Sequence, residues 1–417
     1  MEEEFIMILI KCVDTDILIQ DDKIVKKCKN ISVQKGGSSS VLLHKGTITG
    51  RMTEEPSLCH IIDATKLVVA PGFVDIHVHF REPGFEYKED ILTGAAAAAA
   101  GGVTTCCCMP NTSPVIDNRV VLELVKDKAK KAAITVLPIA AVTIGQKGEE
   151  LTDFATLKKA GAVALSDDGM PIKNDELMRA ALLKAKKNDT LIISHCEEEE
   201  PMVERDIKLA EETNSRVHIA HVSTAYAVEA IRKAKAKGIK VTAEAAPHHF
   251  FLTEKAVSEK GTHAKMSPPL RKQEDVDAII QGLCDGTIDA IATDHAPHSA
   301  EDKALPYNDA PNGIIGLESL LAVTLTSLYH TGKLCLEEII KLLSTNPSEI
   351  LTFGAGKLEE GCIADIVIFD PDEKWTVDPS KFMSKSKNTP FGGMDLRGKV
   401  KYTISRGRLV FEDVRTN

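Results

Sequence analysis

Two histidines, His77 and His79, sit one residue apart in the run Val74-Asp75-Ile76-His77-Val78-His79-Phe80. In a strand the side chains alternate, so both imidazoles face one side while Ile76, Val78 and Phe80 face the other. Two imidazoles on one face at a strand's end make a natural pair of zinc ligands. The turn residues Pro83-Gly84 follow, which places the pair at a rim. Four more polar residues stand at like positions. Asp168 follows the apolar run 162–165, His195 ends 190–194, His221 ends 217–220 and Asp294 follows 290–293. Four histidines and two carboxylates converging from separate strands suffice for a two-metal site, which makes water a nucleophile at neutral pH.

A scaffold must bring those strand ends together. The middle of the chain alternates strand-like runs at 67–69, 73–79, 104–108, 134–139, 162–165, 190–195, 217–222, 240–245 and 290–293 with helical stretches such as 94–100, 175–187, 204–212 and 225–236. Repeated βα units of this length predict an α/β fold with a parallel sheet, and this many predict a closed (β/α)8 barrel with its chemistry at the C-terminal strand ends. The two ends of the chain read differently. Short apolar pieces at 6–10, 17–19 and 24–25 are broken by Asp21-Asp22 and by the turn run 36–40. Residues 364–370 form a further strand, and 400–404 with 408–411 form a hairpin around Arg406-Gly407. The expected organisation is a small β-sandwich domain from residues 1–68 and 354–417, with a barrel from 69–353.

Composition narrows the class. The 417 residues are 43% hydrophobic and 27% charged, as in an ordinary globular protein. A formal net charge of −10 and a single tryptophan, Trp375, argue against nucleic-acid binding. The acidic start Met1–Glu4 and the short apolar run 5–10 read as neither a targeting signal nor a membrane span, so a cytoplasmic location is expected. Ten cysteines show no paired spacing, and Cys106–Cys108 read as buried thiols of one strand. His248 and His249 read as structural, His295 as packing behind the metals, and the acidic run 197–200 as a solvated loop. The segment 299–311 is expected to form a mobile lid.

The motif Pro71-Gly72-Phe73-Val74-Asp75-Ile76-His77-Val78-His79-Phe80-Arg81-Glu82-Pro83-Gly84 resembles the amidohydrolase superfamily, and within it the class I dihydroorotases. Met109-Pro110-Asn111-Thr112, Ser166-Asp167-Asp168-Gly169, His221-Val222-Ser223-Thr224, Pro268-Pro269-Leu270-Arg271 and Ala292-Thr293-Asp294-His295-Ala296-Pro297-His298 are similar to that family's further motifs, in the same order. The resemblance implies two zinc ions per subunit. His77, His79 and Asp294 would hold one, His195 and His221 the other, and Asp168 rather than Asp167 would bridge them. Many cyclic amidases carry a carboxylated lysine at the bridge; Ser-Asp-Asp-Gly points instead to the carboxylate-bridged branch.

The implied reaction is reversible hydrolysis of the cyclic amide of dihydroorotate to carbamoyl aspartate. Asp294 would take the proton of the attacking water and return it to the leaving ring nitrogen. Arg81, on the face of His79, suits the substrate carboxylate. Asn111, Ser267, His298, Asn312 and Gly313 would be further substrate contacts. Ser267 stands where the family usually has asparagine, Asn312 replaces an apolar residue, and the stretch between His195 and His221 is short for the family. The alternatives are another cyclic amidase, allantoinase-like or hydantoinase-like, and a non-catalytic scaffold for aspartate transcarbamoylase. The expected partners are a small-molecule substrate and a second copy of the chain, with room for a transcarbamoylase, but neither nucleic acid nor membrane.

Overall fold

A computed structural model describes residues 6–36, 39–44, 47–51 and 58–413. The acidic start Met1–Glu4 and the centre of the turn run 36–40, Gly37-Ser38, lie outside the described residues. Seven strands come first: β1 (Ile6–Lys11), β2 (Asp16–Gln20), β3 (Lys23–Cys28), β4 (Ile31–Gly36), β5 (Ser39–His44), β6 (Thr47–Arg51) and β7 (Leu58–Asp63). A sheet of order β3-β2-β1-β7 and a smaller one of order β4-β5-β6 hold them. β8 (Val68–Pro71) leaves that group to pair with β17 (Ile366–Thr376), which continues to β18 (Asp395–Ser405) and β19 (Arg408–Glu412). The two ends of the chain share one core. Ile8, Ile10, Ile17 and Ile19 pack in the same cluster as Ile366, Ile368 and Ile404. Each such side chain taken out of water contributes roughly 1.5–3 kcal/mol. Residues 69–71, just past the expected boundary at 68, pair with Ile366–Ile368 and so belong to this terminal sheet.

Between these ends the strands are parallel. β9 (Phe73–Val78), β10 (Val103–Cys108) and β11 (Thr135–Pro138) form one sheet. β12 (Leu165–Ser166), β13 (Ile192–Ser194), β14 (Val217–Ile219), β15 (Val241–Ala245) and β16 (Ala290–Ile291) form another, in sequence order. Single parallel bridges join their edges, Ala140 with Leu165 and Val78 with His295. Val74, Ile76, Cys107, Ile139, Ala164, Ile193 and Ala292 gather in one inner cluster drawn from these strands and their ends. The helices pack in a larger cluster outside it. The helix Ile91–Ala100 begins with Asp90, whose side chain accepts from Leu92 N and Thr93 N. It packs so close that a Cβ on Gly94 would lie 2.4 Å from the Phe80 ring, which explains glycine there. Among the described residues no helix is long and apolar enough to cross a membrane.

Candidate metal centre

The histidine pair is aimed by an irregular strand. Cys106 pairs with Asp75 but Cys108 with Val78, so β9 carries one extra residue there. Simple alternation put Ile76 with Val78 and Phe80. Instead Ile76 packs inward with Val74 and Cys107, while Val78 and Phe80 pack outward with Ile91 and Ala95. The bulge breaks the alternation after Ile76, and His77 and His79 both reach the same polar site.

Hydrogen bonds settle which nitrogen each ring presents. His77 Nδ1 lies 2.6 Å from Glu244 Oε1, whose other oxygen is 3.2 Å from His218 Nε2. A carboxylate only accepts, so Nδ1 of His77 carries the proton and Nε2 keeps its lone pair. His79 Nδ1 lies 2.8 Å from Asn111 Oδ1, which likewise leaves Nε2 of His79 as an acceptor. His77 Nε2 is buried without a hydrogen bond, 3.2 Å from Asp168 Oδ1 and 3.6 Å from Asp294 Oδ1. His79 Nε2 lies 3.4 Å from Asp168 Oδ2 and 3.1 Å from Asp294 Oδ1. From the other side, His195 Nδ1 is 3.2 Å from Asp168 Oδ1 and 2.8 Å from His221 Nε2.

Lone pairs facing carboxylate oxygens in a buried pocket need a cation between them. The ligand atoms of His77, His79 and Asp294 lie within 4.8 Å of one another, as do those of His77, Asp168 and His221. The donor set therefore fits metal ions. The electrostatics agree. Burial would raise the carboxyl pKa of Asp168, but the His77 and His195 imidazoles hold it well below the usual range. Asp168 and Glu244 outweigh burial and draw the His77 pKa well above the ordinary value, a pull toward positive charge that a cation at Nε2 would satisfy in place of a second proton.

Three of these residues hold strained backbone. Arg81, His221 and Asp294 have φ of 55°, 33° and 48°, left-handed values that non-glycine residues adopt only when neighbours enforce them. Asp294 follows Thr293, whose N and Oγ1 donate to the buried carboxylate of Asp75 at 3.2 and 2.6 Å. The turn after His221 is held by Glu199, which accepts from Ser223 N at 2.8 Å, Thr224 N at 3.0 Å and the Ser223 hydroxyl. Glu199 thus overturns the solvated-loop reading of 197–200. The helix there starts at Glu199 rather than at 204, and its first side chain is buried. Asp167 turns away from the centre to accept from Val142 N and Thr143 N at 2.8 and 3.0 Å.

One cavity opens over the centre. His79, Asn111, Asp168, His195, His221 and Asp294 line it together with Arg81, Ser267, His298, Asn312 and Gly313; His77 lies buried beneath. Burial lowers Arg81 only to about 10, so it stays cationic at neutral pH. Its Nε donates to Pro297 O at 3.2 Å. His298 Nε2 donates to Asn312 O at 2.8 Å, which leaves Nδ1 to accept from the Lys88 ammonium at 3.3 Å. Burial and the cations Arg81 and Lys88 depress the His298 pKa and keep the ring neutral. This wall is cationic and suits an anion.

Sequence reasoning missed Glu244 and Lys88. Glu244 carried a signal, a lone carboxylate in the apolar run 240–245 near a strand end. Lys88 carried none, because it reaches the wall only through the turn after His79. Hydrogen bonds join the segment 299–311 to residues 262–265: Lys265 donates to Ala310 O at 2.6 Å, and Lys303, within the segment, donates to Thr262 O at 2.9 Å. His249 bonds Pro268 O at 2.9 Å, and His295 Nδ1 accepts from Gly316 N at 3.2 Å behind the site.

Comparison with known proteins fits this arrangement. A model of the amidohydrolase family matches residues 68–410. A dihydroorotase of Thermoanaerobacter sp. (strain X514) is 50% identical over 383 residues, 85% of this chain and 89% of the relative. The dihydroorotase of Syntrophus aciditrophicus (strain SB) is 44% identical over 95% of this chain and 99% of its own length. Among solved structures, the L-hydantoinase (dihydropyrimidinase) of Arthrobacter aurescens superposes with a TM-score of 0.85 over 98% of this chain and 96% of its own. At 24% identity that likeness speaks for the fold.

Proposed function

The chain belongs to the amidohydrolase family, with curated dihydroorotases at 44–50% identity over most of its length, and on that premise we propose that it interconverts L-dihydroorotate and N-carbamoyl-L-aspartate. It is a hydrolase of a cyclic amide. The observation that carries the reading is the carboxylate of Asp168, whose oxygens lie 3.2 Å from His77 and His195 and 3.4 Å from His79. An aspartate between two histidine pairs is the donor set expected of a carboxylate-bridged two-metal site. The parallel bridges Ala140–Leu165 and Val78–His295 further support a closed (β/α)8 barrel with this centre at its rim.

In this proposal His77, His79 and Asp294 hold one zinc, His195 and His221 hold the second, and Asp168 is shared. Imidazole and carboxylate donors suit zinc. Two such ions, when bound, lower the pKa of water and polarise the ring carbonyl. The remaining work falls to the chain. Glu244 and Asn111 hold the tautomers of His77 and His79. Asp294 accepts the proton of the attacking water and delivers it to the ring nitrogen as the carbon–nitrogen bond breaks. Ring closure runs the same transfers backwards. Arg81 clamps the substrate carboxylate in a two-pronged fashion. Asn111, His298 and the backbone at Asn312-Gly313 orient the ring. Ser267, shorter than an asparagine, leaves one contact to a bridging water.

A panel of L-dihydroorotate, hydantoin and allantoin tests the substrate. Turnover confined to dihydroorotate supports the reading; turnover of a neutral ring in preference to it would replace it with another cyclic amidase. The scaffold alternative is disfavoured by the complete donor set.

A further inference from the structure

The connection between β17 and β18 leaves the terminal sheets and runs back over the cavity rim. Ser384 Oγ donates to Glu89, Lys385 N donates to Glu89 at 3.1 Å, and Ser386 Oγ donates to Lys88 O at 2.7 Å. The same connection carries Asn388, buried at 2% exposure. Its Oδ1 accepts from His298 N at 3.1 Å, and its Nδ2 donates to Ala296 O and Gly313 O, each at 3.1 Å. Its carbonyl accepts from Ile315 N at 2.9 Å. Both donors and the acceptor of one amide are thus used on two loops, those carrying His298 and Gly313.

We propose that Asn388 is a positioning residue for the substrate, setting the spacing of the two loops that form the cavity wall beside Arg81. The substrate in this proposal rests on the function proposed above. The two loops are already pressed together: a Cβ on Gly313, at φ +130°, would lie 2.7 Å from Ala296 Cβ. Ala296 N donates to Ile314 O at 2.7 Å, so the loops share one backbone bridge and the Asn388 amide supplies the stitch next to it. An aspartate would lose both donors and set a charge against two carbonyls; an alanine would leave three buried polar groups unpaired. Asp294 is held separately, through Thr293 on Asp75, so disturbing Asn388 moves the wall rather than the proton-transfer group.

The experiment uses the metal-loaded full chain and the variants Asn388→Ala, Asn388→Asp and Asn388→Ser, with Lys387→Ala as a control on the same connection. Among the described residues the Lys387 ammonium donates to Phe382 O and Ser384 O, both carbonyls of that connection. KM and kcat for L-dihydroorotate are measured with metal content and substrate-free hydrogen exchange across residues 295–316. The expected result is a KM raised about tenfold in Asn388→Ala and Asn388→Asp, less in Asn388→Ser, with kcat within about twofold and metal content unchanged. Exchange across 296–300 should quicken in the same order, with Lys387→Ala like the parent. Unchanged KM and exchange, or loss of metal with a matching fall in kcat, would overturn the proposal. If the parent fails to turn over dihydroorotate, the substrate reading fails on its own. Exchange then decides the positioning role: faster in Asn388→Ala supports it, unchanged overturns it.

Discussion

His77 and Glu244 are joined by a hydrogen bond of 2.6 Å between side chains that are both buried, and that bond fixes which nitrogen of His77 faces Asp168. Replacing Glu244 by glutamine removes the charge that holds the proton on Nδ1 and sets an amide against His218. Metal affinity should fall by about 10–100-fold, with activity recovering at excess zinc. A zinc titration of the variant followed by activity checks this; unchanged affinity would show that Glu244 does not orient the ligand.

Neighbouring aspartates should behave differently. Asp168→Asn should lose zinc and activity together, because its oxygens lie between the histidine pairs. Asp167→Asn should keep its metals and most of its stability, because the amide retains the one oxygen that accepts from both Val142 N and Thr143 N and gives up only the acceptor of the Thr143 hydroxyl. Metal analysis beside denaturant unfolding separates the two; zinc loss in Asp167→Asn would reverse the assignment.

Arg81→Lys keeps the charge and discards the planar fork. The loss should appear as a fall of about 100-fold in kcat/KM for dihydroorotate with zinc content intact. Steady-state kinetics read it directly, and a wild-type value would remove Arg81 from the carboxylate clamp.

Away from the site, Glu318 accepts from Met383 N and Ser384 N at 2.9 and 3.0 Å, and burial pushes its pKa up to about 7. The folded chain therefore binds more protons than the unfolded chain between about pH 4.5 and 7, so this group's contribution to stability falls as pH rises through that window. Glu318→Gln should flatten that part of the stability–pH curve. Thermal unfolding from pH 5 to 8 tests it, and identical slopes in parent and variant would count against the assignment.

Much of this centre is legible in the sequence. His195, His221, Asp168 and Asp294 each end an apolar run, and the parallel strands bring those ends to one cavity. What alternation could not give was the extra residue in β9, because a bulge is set by pairing with β10 and leaves no mark in the run itself. Glu199 was hidden for a similar reason. An acidic run looks solvated until a distant turn, Ser223-Thr224, supplies donors for one of its members. Asn388 lies farther still, about ninety residues past the loop it holds, and only tertiary structure relates them.

The most direct measurement is turnover of L-dihydroorotate by the purified, zinc-loaded chain, with zinc content and a His77→Ala control in the same experiment. Turnover with close to two zincs per chain is expected, abolished in His77→Ala together with loss of metal. Full zinc occupancy without turnover, or turnover that survives His77→Ala, would contradict it.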